Sequence, residues 1–244
     1  MAALLSATIL VYLGRVLLRG RARHRRTDAD GGSVFLHKSA MEMGYWLLGP
    51  VVQGLAALRV TPNMVTGFSV LPALAAGVAA AFGWFGLACV LGTLGALSDL
   101  IDGVLARQTG LSSEAGEVLD AAVDRYGESF FLCGLALYYR TELPILLLAL
   151  AALVGSFMVS YTTAKAEACG VPPPRGSMRR AERAVYLLVA AGLTGFSRAL
   201  FADRPSVWLR DLPIVAVVTL VGVVSNVSAV RRFAKIVRAL RARA

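Results

Sequence analysis

Residues 84–138 read WFGLACVLGTLGALSDLIDGVLARQTGLSSEAGEVLDAAVDRYGESFFLCGLALY. Two apolar runs, 84–106 and 117–138, are separated by a polar turn of glycine and serine around residues 108–113. A run of about 20 apolar residues rising 1.5 Å each crosses a hydrocarbon core of about 30 Å, so each run is long enough to span a membrane. Four more stretches of this kind flank the pair, at 64–82, 143–166, 183–201 and 211–230. The breaks between them are turn-forming: Gly83 with Gly86, Arg140–Pro144, the Pro172–Gly176 loop and Asp203–Pro205. The expected fold is therefore all-α, a polytopic membrane protein of six transmembrane helices preceded by an N-terminal anchor or interfacial segment.

The composition agrees. Of 244 residues 57% are hydrophobic and 16% charged, with a mean hydropathy of +0.67, which excludes an ordinary soluble globule. Cys89, Cys133 and Cys169 are too few and too scattered for a disulfide framework or a zinc site. His24 and His37 both precede the first strong apolar span, which leaves no basis for a histidine-centred triad. The net charge of +10 is explained by topology. With residue 61 on the cytoplasmic side, 20 of the 25 Lys and Arg fall on that side and only Arg140, Arg198, Arg204 and Arg210 on the other. Arg125 lies within a span. No nucleic-acid partner is needed to account for the basic balance; anionic lipid is the natural counter-charge. Trp84 and Trp208 fall at outer span ends, where interfacial aromatics belong.

The N-terminal 60 residues divide into a short apolar anchor over 2–14 and a stretch over 35–59 read as lying along the membrane surface before the chain turns in at Thr61–Pro62. The domain reading is 1–60 as anchor and juxtamembrane segment, 61–231 as the six-helix domain and 232–244 as a basic cytoplasmic tail.

Seven of the fifteen acidic residues lie between positions 99 and 128. Asp99 and Asp102 are three apart near the cytoplasmic end of one span, and Asp120 and Asp124 are four apart near the start of the next. Each pair shares a helix face, and the short loop between the spans makes the helices antiparallel neighbours. Four carboxylates in one place cannot all stay ionised unaided in a membrane. Hard oxygen donors without His or Cys suit Mg²⁺ or Mn²⁺, as one ion or two, and two adjacent ions would fit phosphoryl chemistry. Some of these acids also have a blander use, as loop caps or as partners of Arg107 and Arg125. For Glu114 and Glu117 a place at a helix N-terminus is sufficient explanation.

The spacing Asp99-x2-Asp102-Gly103-x2-Ala106-Arg107-x8-Gly116-x3-Asp120-x3-Asp124 resembles the signature of the CDP-alcohol phosphatidyltransferase family at every fixed position. Pro62-Asn63-Met64-Val65-Thr66 resembles the element that precedes that family's first helix. The resemblance implies six membrane helices over about 61–231, a homodimer, and an active site facing the cytoplasm of a prokaryotic inner membrane. It implies that Asp99, Asp102 and Asp120 are metal ligands, and that Asp124 takes the acceptor's proton while also lying beside a metal. It assigns Asn63, Thr66, Gly103, Ala106, Arg107 and Gly116 to CDP-diacylglycerol. The reaction implied is transfer of the phosphatidyl group to a polar alcohol with release of CMP.

Within the family, Arg125 after the last aspartate, the stretch Ser160–Glu167 and the Glu182-Arg183 pair resemble the inositol-phosphate-using prokaryotic branch. That implies an acceptor site built from Arg125, Ser160, Lys165, Arg180 and Arg183. The chain departs from the branch by placing Thr163 where a lysine is expected and Lys165 where an arginine is. Glycerol 3-phosphate, inositol and serine therefore stay open as acceptors beside inositol phosphate. Arg179 and Arg180 fit a topology signal as readily as an acceptor site. A cation-coupled carrier is the rival from another class, since intramembrane acids and arginines also line ion paths. The acids cluster at one membrane face, however, and no inverted repeat relates the halves.

Overall fold

Leucine- and alanine-rich runs with no β-branched alternation favour helix, and the computed structural model is helical throughout its described residues, 38–172, 176–201 and 206–243. The helices are α1 (Lys38–Ala57), α2 (Pro62–Ala81), α3 (Phe85–Thr109), α4 (Glu114–Tyr138), α5 (Leu143–Ala168), α6 (Arg180–Leu200), the single turn α7 (Val207–Arg210) and α8 (Leu212–Arg241). A helix thus forms over each of the six expected spans. The anchor expected over 2–14 lies outside the described residues, and α1 falls within the stretch expected to be interfacial.

Two features differ from the sequence reading. Only α2, α3, α5 and α8 are long and apolar enough to cross a membrane by length and composition, against six expected. α4 and α6 have the length, 25 and 21 residues, but carry the charges that the site uses, among them Asp120, Asp124, Arg125, Glu128 and Arg183. The second difference is at the C-terminus. The basic segment read as a tail from 232 continues α8 to Arg241, because Ala229, Arg232 and Ile236 remain on one buried face at helical spacing. Ile236 packs with Ala166 and Val171 in a small cluster of its own.

The described residues form two units. One comprises the chain up to Pro62 together with Ile101–Ser112, and so contains α1 and the last turns of α3. The other, Asn63–Leu100 and Ser113 onward, holds the main core. In that second unit Ala76, Ala79 and Ala80 of α2, Phe85 and Ala88 of α3, Phe131, Leu132 and Leu135 of α4, Ile145 and Ala149 of α5, Leu187 and Ala190 of α6, and Ile214 and Val218 of α8 form one buried cluster. Small residues let backbones approach, as helices in lipid require. A Cβ on Gly134 of α4 would lie 2.1 Å from the Gly77 carbonyl oxygen of α2, so only glycine fits this crossing. The outer faces carry large apolar side chains such as Phe68, Val90, Val154, Leu193 and Phe196, the surface that lipid tails demand.

Helix ends are specified locally. The Ser113 hydroxyl caps α4 by accepting from the Gly116 amide at 3.1 Å, and Glu114 and Glu117 occupy the first turn where the helix dipole favours acids. This is the N-terminal role expected for both glutamates.

At the end of the second unit away from Asp99, a buried polar knot joins the helices. Arg198 donates from Nε and Nη2 to the two Asp211 carboxylate oxygens, both at 2.6 Å, and from Nη1 to the Gly83 carbonyl at 2.8 Å. Tyr139 donates to Asp211 at 2.9 Å, and the Arg198 guanidinium stacks 4.3 Å from the Phe85 ring centre. Burial and then the Asp211 carboxylate hold the Tyr139 phenol above its ordinary range, so it stays a proton donor. Trp84 and Trp208 are exposed at the same end.

Candidate active site

Asp99 of α3 and Asp120 and Asp124 of α4 converge in the second unit, with one carboxylate oxygen from each lying within 4.8 Å of the others. The four-residue spacing of Asp120 and Asp124 sets both on one face of α4. The cation between the carboxylates is Arg180, rather than Arg107 or Arg125: its Nη1 is 2.9 Å from Asp99 Oδ2 and its Nη2 is 2.5 Å from Asp124 Oδ1. A guanidinium drawn to two acids at once marks a site that favours positive charge. Three convergent carboxylates with no His or Cys among them form a hard oxygen donor set that fits Mg²⁺ or Mn²⁺.

Asp102 is buried three residues farther along α3, in the first unit with Gly103, Ala106 and Arg107. There the Arg107 guanidinium lies along Gly103, 3.4 Å from where a Cβ would be. Gly116 lies in the second unit against Asn63, whose Oδ1 would be 3.2 Å from an added Cβ. Thr66 is buried one turn farther along α2, and its carbonyl accepts from the Ser69 hydroxyl at 2.7 Å.

Beside the carboxylates opens a cavity of about 440 Å³. α4 contributes Asp120, Asp124, Arg125 and Glu128, α5 contributes Ser160, Thr163 and Glu167, α6 and its approach contribute Arg179, Arg180 and Arg183, and α8 contributes Arg232. A narrower cleft of about 90 Å³, walled by small residues including Ala73, Gly92, Gly95 and Gly127, meets the same Asp124 and Arg180 from another side, together with Asp99. Asp124 and Arg180 thus belong to both spaces.

The arginines are held in different ways. Arg183 is fully buried and grips Glu128 with two prongs, Nε to Oε1 at 2.5 Å and Nη2 to Oε2 at 2.7 Å, while Nη1 donates to the Met178 carbonyl at 2.6 Å. Its buried charge has found a protein partner, as burial of an ionised group requires. Met178 adopts a φ of 61°, a left-handed conformation rare for a non-glycine residue, and the Arg183 contact pins it. Arg125 donates to the Ala121 carbonyl of its own helix. Arg232 is buried, with Nη1 on the Thr163 hydroxyl at 3.1 Å and Nε on Ser228 at 3.3 Å.

Of the acceptor residues expected from sequence, Arg125, Ser160, Arg180 and Arg183 line the cavity together. Lys165 does not line it; it is exposed on another face of α5, since the cavity face of that helix runs through Ser160, Thr163, Ala164 and Glu167. Sequence reasoning passed over Arg232, Thr163 and Glu128. The available signal for Arg232 was its register, since an arginine recurring with Ser225, Ser228, Ala229 and Ile236 is on the buried face of α8.

Comparison with known proteins agrees with this geometry. The family model for CDP-alcohol phosphatidyltransferase matches residues 59–203. A phosphatidylinositol phosphate synthase of Cutibacterium acnes is 35% identical over 194 residues, 76% of this chain and 93% of that protein. The crystal structure of Mycobacterium tuberculosis phosphatidylinositol phosphate synthase in complex with manganese and citrate is similar with a TM-score of 0.68 and 28% identity, covering 77% of this chain and 87% of that one. The same synthase with CDP-DAG bound gives a TM-score of 0.66 and 27% identity over 77% of this chain and 92% of that one. With Asp99, Asp120 and Asp124 converging as a carboxylate cluster that could hold a metal ion and more than half the chain matched, the protein belongs to the CDP-alcohol phosphatidyltransferase family.

Proposed function

We propose that this protein transfers the phosphatidyl group of CDP-diacylglycerol to an inositol phosphate and releases CMP. The observation that carries the reading is the junction at Asp124, where three carboxylates meet a cavity walled by five arginines. Arg180 and Arg183 already have carboxylate partners, while Arg125, Arg179 and Arg232 form no ion pair among the described residues; an acceptor bearing a phosphate group supplies their counter-charge, which inositol, without a phosphate, does not.

Asp99, Asp102 and Asp120 hold the divalent cation, with Asp124 beside it, and a bound ion supplies charge stabilisation to the diphosphate as CMP departs. Asn63, Thr66, Gly103, Ala106, Arg107 and Gly116 receive the nucleotide and diphosphate of the donor. Arg125, Ser160, Arg180 and Arg183 take the acceptor, joined by Arg232 and Thr163, and Lys165 is left out of the acceptor site. Asp124 removes the proton from the acceptor hydroxyl, whose oxygen attacks the lipid-linked phosphorus as the bond from that phosphorus to the CMP oxygen breaks. The proton ends on the Asp124 carboxylate and the electron pair on CMP. No covalent enzyme intermediate forms, so the chain contributes by holding two reactants in line.

In this reading all six long helices α2 to α6 and α8 cross a bacterial cell membrane, with the site facing the cytoplasm, and the protein works as a homodimer. A carrier of cations is not favoured by any observation, because the acids sit together at one end of α3 and α4.

The test is CMP release from CDP-diacylglycerol by the purified protein with Mn²⁺ or Mg²⁺, offering inositol 1-phosphate, glycerol 3-phosphate, inositol and serine separately. Stimulation by inositol 1-phosphate is expected. Stimulation by glycerol 3-phosphate alone would keep the family reaction and replace the acceptor.

A further inference from the structure

A further cavity, of about 380 Å³, lies against α8 and shares Gly176 and Arg232 with the acceptor cavity. Arg231, Lys235 and Arg238 line it together with Ser177 and Ser228, the Ser228 hydroxyl donating to the Ser177 carbonyl at 3.0 Å, and Val224 and Val227 form its apolar end. Among the described residues no carboxylate lines it. Arg232, the wall shared with the acceptor cavity, already bonds to Thr163, Ser228 and the Ser177 carbonyl. Arg231, Lys235 and Arg238 are exposed, and among the described residues none of them pairs with an acid.

Basic residues at a cytoplasmic helix end satisfy topology without being a site. Here they do more than mark a border. Positions 224, 227, 231, 235 and 238 recur at three- and four-residue steps, which places two valines and three cations along one face of α8. Val224 is about 10 Å from Arg231 along the axis at 1.5 Å per residue. The face thus passes from the depth of acyl chains to that of headgroups within one concave surface, whereas a topology signal needs no concavity and no hydroxyls.

We propose that this cavity binds a phosphate ester, with Arg231, Lys235 and Arg238 on the phosphate and the Ser177 hydroxyl beside them. Val224 and Val227 indicate that the ester is presented by an anionic membrane phospholipid, whose chains continue along α8. Basic pockets on the cytoplasmic side of membrane helices have the right charge and depth for this class of ligand. The site is separate from the reaction and does not depend on which alcohol the protein uses.

The test uses the full-length protein in phosphatidylcholine micelles, reading its thermal midpoint during titration with phosphatidylglycerol. Two variants leave the acceptor cavity untouched. Arg231→Gln/Lys235→Gln/Arg238→Gln removes the cations, and Val227→Trp fills the groove while keeping every charge. Wild type is expected to be stabilised at low phosphatidylglycerol fractions, with each variant needing roughly tenfold more lipid for the same shift. Inorganic phosphate and glycerol 3-phosphate at matched ionic strength are expected not to substitute. If either competes fully with the lipid through the same three cations, the phosphate site stands and its ligand is soluble. Unchanged titrations in both variants would overturn the site, and so would an unchanged Val227→Trp response, which would reduce the effect to net charge. Should the triple variant fail to fold, Val227→Trp decides alone.

Discussion

Arg183 of α6 and Glu128 of α4 meet in a two-pronged ion pair with the arginine fully buried, its contacts 2.5 and 2.7 Å long. The pair fastens two charged helices to each other at the acceptor cavity, and through Met178 it also holds the loop that leads into α6. Removing one member of a buried pair leaves the other charge uncompensated, which costs more than the pair itself contributes. Glu128→Ala is therefore expected to destabilise the protein by about 3–5 kcal/mol. A thermal midpoint within a degree or two of wild type would show that the pair is not structural.

Asp124 stands between the two cavities, the position required of a group that takes the acceptor's proton. Asp124→Asn keeps the shape and loses the base. CMP release is expected to fall by about 10²–10⁴-fold, the usual range for losing general-base catalysis. CDP-diacylglycerol binding in the presence of metal is expected to change little. Full turnover in the variant, measured by CMP release, would remove Asp124 from that role.

The carboxylate cluster is expected to make activity dependent on added Mg²⁺ or Mn²⁺. Chelation should abolish CMP release and readdition should restore it. Asp99→Ala deletes one of three converging oxygens and should shift the metal titration to higher concentration. An unaltered titration curve in this variant would falsify the ligand assignment.

Arg232 reaches the acceptor cavity with its guanidinium on Thr163. Arg232→Gln is expected to raise the KM for the phosphorylated acceptor by about tenfold or more, on the scale of a hydrogen bond to a charged group. The KM for CDP-diacylglycerol should stay near its original value. Equal rises in both constants would point instead to a general disturbance of α8.

The knot of Arg198, Asp211 and Tyr139 sits at the end of the bundle away from the carboxylates. Asp211→Asn leaves Arg198 without its counter-charge and should lower stability by about 3 kcal/mol. The kcat of the protein that stays folded is expected to be unchanged, since no element of the knot lines the acceptor cavity. A fall in kcat with an unchanged thermal midpoint would contradict a purely structural role.

How much of this was legible in the chain differs from residue to residue. The helices over the six apolar runs follow from their length and from the Gly and Pro residues between them, because backbone satisfaction in lipid leaves a long apolar run little choice but helix. The convergence of Asp99, Asp120 and Asp124 was legible because the four-residue spacing of the last two and the short loop between the helices are local properties, whereas the fourth expected member, Asp102, is not in that cluster. The placement of Glu114 and Glu117 at a helix N-terminus was legible for the same reason.

Other assignments needed long-range packing. In sequence Arg125, Arg180, Arg183 and Lys165 were all read as acceptor cations, Arg125 within a span and the others near span ends, with Arg180 fitting a topology signal as readily. The fold gave Arg180 to two carboxylates, Arg183 to Glu128 and Arg125 to its own helix, and left Lys165 outside the cavity. Arg232 looked like the start of a basic tail until α8 ran on to Arg241 and carried it to Thr163, 69 positions earlier in the chain. The sequence by itself determined helix positions and the convergence of the aspartates, since both depend on neighbours within a turn or a short loop. Tertiary structure alone decided which arginine meets which acid, because a flexible cationic side chain takes whichever partner the rotation and approach of distant helices bring within reach.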